Sequence, residues 1–267
     1  MPERAPRLVG EPGIGLVLVH GGAHTSACWD LVVDAIRSRS PLLPVLAVNL
    51  PGRAARRSDR QSTSIDGYAH AVITAIDTAG MSDVVVVGHS LAGLTVPRVV
   101  ARLGPRVREM VLIAALTPPH GSSVLDTLPW LMSTLLARAA CSGDAFALPR
   151  TLAHVCFWNG LPARMRRTAA SGLCREFAHV LAERADYSAL STGVPRTWIL
   201  TGRDRIVSPR RQLSYIDAIG GVDTVLRIDS CHDAMFSHPQ WLADSLIARC
   251  SRYAELACVD ADHRPTR

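Results

Sequence analysis

Short runs of apolar, often β-branched residues recur along the chain, and each is followed by a turn and a segment of helical periodicity. Continuous apolar runs of this length are typical of strands that are buried on both faces, as in parallel sheets. The alternation predicts an α/β fold with a doubly wound, mostly parallel sheet of about six strands. The predicted strands are 14–19, 45–50, 84–87, 110–115, 197–200 and 225–228, and the predicted helices lie near 27–38, 65–79, 90–103, 209–219 and 239–254.

The interval from residue 116 to residue 196 interrupts this alternation. It separates the fourth predicted strand from the fifth and contains no strand candidate. A structureless loop of this length is uncommon in a compact domain, so we expect a helical cap that is inserted after the fourth strand. Residues 1–115 and 197–267 would then form the core. Apolar positions at helical spacing inside the predicted cap cover 125–140, 147–158 and 163–184.

Composition narrows the class of protein. Of the 267 residues, 48% are hydrophobic and 19% are charged, which excludes a disordered or fibrous chain. No apolar run reaches the length of a transmembrane helix, and the first residues lack the apolar segment of a secretory signal. The seven cysteines are scattered without a C-x-x-C pair, which argues against a disulfide framework and a cysteine-based zinc site. We therefore expect a cytoplasmic protein without membrane or metal.

The charge pattern bears on cofactors and partners. The net charge is +6 and the chain has no lysine, which excludes a pyridoxal phosphate Schiff base and a P-loop. No aromatic residues are interleaved with the dense arginine clusters, so we expect no nucleic-acid partner. The arginine clusters have two explanations. One is a coding bias that replaces lysine by arginine, and the other is a surface for an acidic carrier protein. The clusters are Arg53, Arg56, Arg57 and Arg60, and Arg164, Arg166 and Arg167.

Residues 83–93, Asp-Val-Val-Val-Val-Gly-His-Ser-Leu-Ala-Gly, read as a strand, a tight turn and the start of a helix. Ser90 at the apex would hold its Oγ at the carboxyl edge of the sheet, and the small residues around it permit the sharp turn. One alternative is a degenerate dinucleotide-binding turn, but the next strand would then end on an acidic residue and instead ends Ala114-Ala115-Leu116-Thr117. The other alternative is a serine that only caps the helix.

Two further residues complete a nucleophile, base and acid in the chain order Ser, Asp, His. Asp204 follows the fifth predicted strand and His232 follows the sixth, so both lie at the same sheet edge as Ser90. Asp229 and Asp233 compete as the acid, but they are too near His232 in sequence to orient its ring from behind. We therefore predict Ser90 as nucleophile, His232 as base and Asp204 as the orienting carboxylate.

The glycines after the first strand supply a fourth part of the site. The sequence His20-Gly-Gly-Ala-His24 leaves this strand in a turn that can present the backbone N–H of Gly22. Together with the N–H of Leu91, the residue after the nucleophile, it would form an oxyanion hole. His24 has two interpretations, since it either contacts substrate or bonds to the turn or the insertion.

Large apolar residues of the predicted cap have two interpretations as well. They either line an apolar substrate pocket or form the ordinary core of the cap. They are Trp130, Met132, Phe157 and Trp158.

With these motifs the sequence resembles the α/β-hydrolase superfamily over residues 12–255. It is most similar to the small-esterase and hydroxynitrile-lyase group that includes plant methyl-salicylate-type methylesterases. The resemblance implies a cap over the active site at 116–196, no cofactor, and ester or related acyl chemistry. The matching stretches are His20-Gly-Gly-Ala-His24 with Trp29, Asn49-Leu-Pro-Gly52, Gly88-His-Ser-Leu-Ala-Gly93, Gly202-Arg-Asp204 and His232 with the following Met-Phe-Ser-His-Pro239.

Three positions depart from the patterns of these relatives. Ala92 stands where the superfamily usually has glycine. The hydroxynitrile lyases have threonine at the position of Gly21 and lysine at that of Asp233, which argues against cyanohydrin chemistry. We therefore expect a serine hydrolase that cleaves a small carboxylic ester through an acyl-enzyme on Ser90, as a monomer or a homodimer. The alternatives are a thioesterase or acyltransferase for carrier-bound acyl groups, a lyase or C–C hydrolase that uses the same triad, and a ligand receptor on this fold.

Overall fold

The structure is a computed structural model that describes residues 13–53, 63–142 and 145–262. Six parallel strands form the main sheet in the order β2-β1-β3-β4-β7-β8 once the strands are numbered along the chain. In chain order the strands are β1 (Ile14–Val19), β2 (Val45–Val48), β3 (Asp83–His89), β4 (Val107–Ile113), β5 (Ala145–Phe146), β6 (Glu176–Phe177), β7 (Arg196–Thr201) and β8 (Thr224–Ile228).

Helices follow most of the strands and cover both faces of the sheet. Buried side chains of α2, α3 and α8 belong to one hydrophobic cluster, and those of α1 and α10 belong to the other. The helices are α1 (Asp30–Arg39), α2 (Ile65–Thr78), α3 (Ala92–Leu103), α4 (Trp130–Ser142), α5 (Arg150–Cys156), α6 (Ala163–Ser171), α7 (Ala178–Ala182), α8 (Pro209–Ala218), α9 (Ala234–Ser237) and α10 (Pro239–Asp262).

The central strand β3 shows how the apolar runs divide between the two faces. Val84 and Val86 belong to one hydrophobic cluster, whereas Val85 and Val87 belong to the other, because successive side chains of a strand point to opposite faces. A strand that is buried on both sides needs apolar residues at every position, which explains its unbroken valine run. The predicted α/β fold with a parallel, doubly wound sheet is confirmed.

Residues 116–196, which we call the cap segment, leave the sheet after β4 and return to it at β7. Our expectation that this segment contains no strand was wrong. β5 and β6 form an antiparallel ribbon in which Ala145 pairs with Phe177 and Phe146 with Glu176. Strands of two residues are too short to show an alternating pattern, and their partners lie far apart in the sequence. The ribbon therefore could not be predicted from periodicity.

The predicted helices of the cap segment were too long. The first is divided into a 3-10 turn, Leu125–Thr127, and helix α4, with Pro129 between them. The second is shortened to α5, which begins after Pro149. The third ends at α6, where Gly172 caps the helix, and the chain continues into β6 and the short α7. Proline and glycine interrupt the apolar pattern because one lacks a backbone donor and the other favours helix ends.

Parallel strands place their carboxyl ends at one edge of the sheet. The segments that follow β1, β3, β7 and β8 therefore meet at this edge, and they carry the predicted site residues. Within the described part of the chain, no helix is both long enough and apolar enough to cross a membrane.

Candidate active site

Ser90 lies at a sharp turn between β3 and α3. Its φ of +51° is in the left-handed region that non-glycine residues rarely adopt, so the turn holds backbone strain at this residue. Glycines on either side make the turn possible. A Cβ at Gly88 would lie 2.7 Å from Val96 Cγ2, and one at Gly93 would lie 2.5 Å from the carbonyl oxygen of Leu116. At Gly88 the strand approaches the helix, and at Gly93 the helix approaches the backbone after β4, in each case too closely for a Cβ in the observed packing.

Three residues from three separate loops form a hydrogen-bonded chain at this edge. The Ser90 Oγ lies 2.9 Å from His232 Nε2, and His232 Nδ1 lies 2.7 Å from Asp204 Oδ2. All three residues are buried, with Ser90 8% exposed and His232 1% exposed. A serine hydroxyl within hydrogen-bond distance of an imidazole that a carboxylate orients is the arrangement that activates a serine nucleophile.

Asp204 is held rigidly in the loop after β7. One carboxylate oxygen accepts hydrogen bonds from the backbone N–H groups of Ile206 and Val207, each at 2.8 Å. The other oxygen accepts from the Thr201 hydroxyl at 2.9 Å and from the His232 ring. Because this carboxylate accepts the Nδ1 proton, the neutral His232 ring has its free lone pair on Nε2, facing Ser90.

Opposing effects act on the pKa of His232. Burial lowers the pKa, while the charge of Asp204 and its hydrogen bond raise it, with a further contribution from the charge of Asp233. The net result is a pKa above the ordinary value of 6.5. The ring is thus a stronger base than a free histidine side chain, which suits a group that takes a proton from a serine hydroxyl.

The two competing aspartates have other partners. Asp229 is in the loop after β8, where its side chain is 80% exposed and pairs with Arg203 at 3.2 Å. Asp233 is fully buried, and its Oδ2 accepts from His24 Nε2 at 3.1 Å and from Trp158 Nε1 at 2.6 Å. Neither carboxylate contacts the His232 ring nitrogens, both of which are engaged by Ser90 and Asp204.

The glycine turn after β1 lies directly against the nucleophile turn. A Cβ at Gly21 would lie 2.8 Å from Ser90 Cβ, and one at Gly22 would lie 3.3 Å from Leu91 Cδ2. The turn therefore needs glycine at residue 21, where the hydroxynitrile lyases have a larger residue. This packing brings Gly21 against Ser90 and Gly22 against the side chain of Leu91, the residue after the nucleophile.

Two buried histidines that were not among the predicted site residues support these turns. His20 Nε2 accepts from the N–H of Leu50 at 3.1 Å, which leaves Nδ1 to donate to the carbonyl of Gly21 at 2.8 Å. His89 Nε2 donates to the carbonyl of His232 at 3.1 Å. Burial is the largest cause that lowers the pKa of each ring to about 3, so both are neutral. The motifs contained these residues, but their partners follow only from the packing.

Of the two interpretations of His24, the hydrogen bonds support the one in which it bonds to the turn. Its Nδ1 lies 2.8 Å from the carbonyl of Gly22 and its Nε2 faces Asp233. Burial lowers the pKa of His24, but the charge of Asp233 and the two hydrogen bonds raise it above the ordinary value. The charge of Asp233 is therefore balanced inside the protein by His24.

The predicted substrate residues of the cap segment lie in different surroundings. The ring of Phe157 lies 5.1 Å from that of His232 and 6.1 Å from that of His24, so the cap segment covers the base with an aromatic side chain. Trp158 is fully buried and bonds to Asp233. Trp130 is 78% exposed at the start of α4. The side chain of Met132 lies outside the described residues.

The two arginine clusters also differ. Arg53 is buried and pairs with Glu176 of β6 at 2.7 Å, so it does not belong to a surface for a carrier protein. The other three members of its cluster lie outside the described residues. In the second cluster, Arg164 and Arg167 are exposed. Sequence reasoning missed the partner Glu176, since nothing in its local sequence distinguishes it from a surface carboxylate.

One group of possible metal ligands overlaps the site. Ligand atoms of His89, His232 and Asp233 lie within 4.8 Å of one another among the described residues. His232 already bonds through both ring nitrogens, so a metal here would displace Ser90 or Asp204. The donor set does not fit a metal while the hydrogen-bonded chain is intact.

Known proteins resemble the chain over nearly its whole length. A probable esterase of rice (Oryza sativa), PIR7A, is 26% identical over 261 residues, which cover 90% of this chain and 98% of the relative. Methylesterase 3 of Arabidopsis thaliana is 24% identical over 257 residues, covering 90% and 97%.

Solved structures show the same fold. An extracellular alpha/beta-hydrolase from a Paenibacillus species superposes with a TM-score of 0.77 at 19% identity, covering 89% of this chain and 98% of the other. The model of the Alpha/beta hydrolase family matches residues 16–245. Because that match spans most of the chain and includes Ser90, Asp204 and His232, the chain belongs to the alpha/beta hydrolase family.

Proposed function

We propose that this ester hydrolase cleaves a small carboxylic ester through an acyl-enzyme on Ser90. The observation that carries the proposal is the hydrogen-bonded chain from Ser90 through His232 to Asp204, beside two glycines that approach the nucleophile closely. We call Ser90, His232 and Asp204 the proton-transfer half of the site, and the N–H groups of Gly22 and Leu91 the oxyanion half.

The first stage forms the acyl-enzyme. Ser90 Oγ attacks the acyl carbon of the ester while its proton passes to His232 Nε2. The carbonyl oxygen becomes an oxyanion, which accepts from the N–H groups of Gly22 and Leu91. The carbon–oxygen bond to the alcohol then breaks, and His232 gives its proton to that oxygen. The alcohol leaves, and the acyl group stays on Ser90.

The second stage releases the acid. A water molecule gives a proton to His232 Nε2 as its oxygen attacks the acyl carbon, and the same N–H groups hold the oxyanion again. The bond to Ser90 Oγ breaks and His232 returns the proton to it. Asp204 holds the ring throughout and stabilises its charged form. Every proton moves between Ser90, His232, substrate and water, so this route requires no cofactor.

The surroundings of the nucleophile support a small substrate. Ser90 is 8% exposed, and the Phe157 ring of the cap segment lies beside His232. The similarity to a rice esterase and an Arabidopsis methylesterase supports a simple ester, including a methyl ester, as the substrate class. Among the described members of the two arginine clusters, the exposed ones are Arg164 and Arg167, and only these support a surface for an acidic carrier protein.

Active-site labelling tests the nucleophile. A fluorophosphonate should form one adduct, on Ser90, and peptide mapping by mass spectrometry identifies it. The Ser90→Ala variant is the control and should stay unlabelled. An adduct on another residue, or none on the folded protein, removes Ser90 from its role.

A substrate comparison then separates ester hydrolysis from lyase chemistry. Small p-nitrophenyl and methyl esters should turn over with burst or acyl-enzyme kinetics, and the burst of alcohol release appears where deacylation is the slower stage. Cyanide release from mandelonitrile should equal the uncatalysed rate, because Asp233 replaces the lysine of the lyases and is paired with His24. Cyanide release that needs His232, with no ester cleaved, would establish the lyase alternative. Salt-sensitive turnover of carrier-bound thioesters alone would establish the acyltransferase alternative.

We also propose a reducing location, as in the cytoplasm. The six cysteines whose side chains the structure describes are unpaired, and three of them are buried. Cell fractionation against compartment markers tests this location, and recovery from the culture medium would contradict it.

A further inference from the structure

The peptide that joins Gly22 and Ala23 is held at both ends by buried side chains. The carbonyl of Gly22 accepts from His24 Nδ1 at 2.8 Å, and the N–H of Ala23 donates to Glu176 Oε2 at 2.9 Å. This peptide follows the N–H of Gly22 directly in the chain. The N–H itself belongs to the preceding peptide, whose Gly21 carbonyl accepts from His20 Nδ1 at 2.8 Å. Holding the peptides on both sides of Gly22 fixes its backbone conformation and with it the direction of that N–H.

Each of these side chains belongs to a buried ion pair. Both ring nitrogens of His24 face oxygen atoms that only accept, the Gly22 carbonyl and the Asp233 carboxylate, so the ring donates from both and is charged. Glu176 accepts from one guanidinium nitrogen of Arg53 with both its oxygens, at 2.9 and 2.7 Å. The side chains of Arg53 and Glu176 are 0% and 3% exposed.

The cap segment supports the same turn at two more points. The N–H of Cys174 donates to the carbonyl of Ala23 at 2.9 Å. A Cβ at Gly22 would lie 3.0 Å from Glu176 Oε2, so the carboxylate packs against the glycine itself. Ala23 has a φ of +57°, in the left-handed region where a residue with a Cβ needs support from its surroundings.

We propose that Glu176 is a positioning residue, which fixes the Gly22–Ala23 peptide so that the Gly22 N–H faces the oxyanion, and that Arg53 neutralises its charge there. The proposal rests on the proposed function of the oxyanion half. A lone carboxylate against Gly22 would repel the negative charge that develops on the substrate oxygen. Paired with Arg53, the same carboxylate orients the turn without that repulsion.

Replacing Glu176 separates positioning from simple packing. Glu176→Leu removes the acceptor for Ala23, whereas Glu176→Gln retains an oxygen that can accept from it. We expect kcat for a p-nitrophenyl ester to fall roughly 100-fold in the leucine variant, within the range for a lost oxyanion donor, with KM nearly unchanged. The glutamine variant should recover most of this loss. Affinity for a trifluoromethyl ketone, which forms an oxyanion on Ser90, should follow kcat.

Glu183→Leu is the matched control. Glu183 also links the cap segment to the core, since its carboxylate accepts from the N–H of Ile65 at the start of α2, but it does not contact the glycine turn. Its kcat should stay close to that of the wild type. An equal loss of kcat in the Glu183 and Glu176 variants would overturn the proposal, as would a wild-type kcat in Glu176→Leu.

A charge rescue keeps the proposal testable if the leucine variant does not fold. Arg53→Gln leaves the carboxylate uncompensated and should lower kcat by roughly tenfold or more. Adding Glu176→Gln to this variant removes the negative charge and should restore part of the kcat. A double variant that is slower than Arg53→Gln alone would contradict the electrostatic part of the proposal.

Hydrogen exchange provides a readout that does not depend on activity. The amides of peptides that span residues 20–26 should exchange faster in Glu176→Leu than in the wild type or in Glu183→Leu, because Ala23 loses its acceptor. Unchanged exchange would contradict the positioning role. If the wild type cleaves no ester, the proposed function fails, while this measurement still reports on the turn.

Discussion

The two halves of the candidate site are supported by different parts of the molecule. The proton-transfer half takes its hydrogen bonds from loops that follow β3, β7 and β8, all of them in the core. Gly22 of the oxyanion half lies on the turn after β1, and the backbone of that turn is bonded to the cap segment at Glu176 and Cys174. The first half is thus a consequence of the sheet, whereas the second depends on how the cap segment packs.

This difference indicates that the proton transfer and the placement of the oxyanion donors are supported by different contacts. The side chains of nucleophile, base and acid bond directly to one another, whereas side chains of the cap segment bond to their neighbours in the chain, Trp158 to Asp233 and Asn159 to the carbonyl of Arg203. The pair of His24 and Asp233 joins the halves, since Asp233 follows His232 in the chain and His24 bonds to Gly22. Substitutions in each half should therefore affect different kinetic quantities.

Loss of the nucleophile should have the largest effect. Ser90→Ala removes the atom that forms the acyl-enzyme, so kcat should fall by about 10³–10⁶ while the oxyanion half stays intact. Initial rates with a p-nitrophenyl ester measure the loss, and circular dichroism against temperature checks the fold. Activity near that of the wild type would show that the proton-transfer half is not the reacting centre.

Loss of the orienting acid should come next. Asp204→Asn disturbs the tautomer and orientation of His232, and kcat should fall by about 10⁴, as in serine proteases. Asp229→Asn is the control, because this exposed carboxylate pairs only at the surface with Arg203. A normal kcat in Asp204→Asn would assign the acid to another residue.

The pH dependence should report on His232. A protonated ring cannot accept the serine proton, so kcat/KM should fall about tenfold for each pH unit below the midpoint and level off above it. Burial lowers the pKa of His232, but Asp204 and Asp233 raise it above 6.5, and the nearby His24 lowers it less. The midpoint should therefore lie above pH 6.5 and move down in Asp204→Asn. A midpoint at or below 6.5 in the wild type would contradict this electrostatic account.

The pair that joins the halves should affect stability. In Asp233→Asn the charged His24 loses its partner, and the free energy of unfolding should decrease by about 1.5–3 kcal/mol, the value of hydrogen bonds to charged groups. Asp229→Asn should change it by less than about 1 kcal/mol, as exposed ion pairs do. Urea unfolding at pH 7 measures both variants. Equal stability of the two would mean that the buried pair contributes no more than a surface pair.

The smallest effect is expected for Phe157, the aromatic side chain of the cap segment that lies beside His232. Phe157→Leu keeps an apolar side chain beside His232 but removes the ring, and such ring contacts contribute about 0.5–1.5 kcal/mol. We expect KM to rise by up to about tenfold with kcat nearly unchanged. A large fall in kcat instead would show that Phe157 positions His232 and that the proton-transfer half also depends on the cap segment.

Sequence reasoning succeeded where local patterns are strong. The valine run of β3 and the glycines around Ser90 are short-range signals, and both correspond to observed structure. It failed in the cap segment, where a two-residue ribbon and helices interrupted by Pro129 and Gly172 replace the long helices that we predicted. Partly exposed short elements carry no clear period, because their stability comes from contacts with the core rather than from their own apolar face.

The sequence by itself determined the alternation of strands and helices, and with it the one sheet edge where Ser90, Asp204 and His232 meet. This follows because parallel strands align their carboxyl ends whatever the rest of the chain does. Only the tertiary structure decided which buried charges pair. Asp233 is 209 residues from His24, and Glu176 is 123 residues from Arg53. A buried charge needs a partner, but which partner reaches it depends on packing between segments that no local pattern connects.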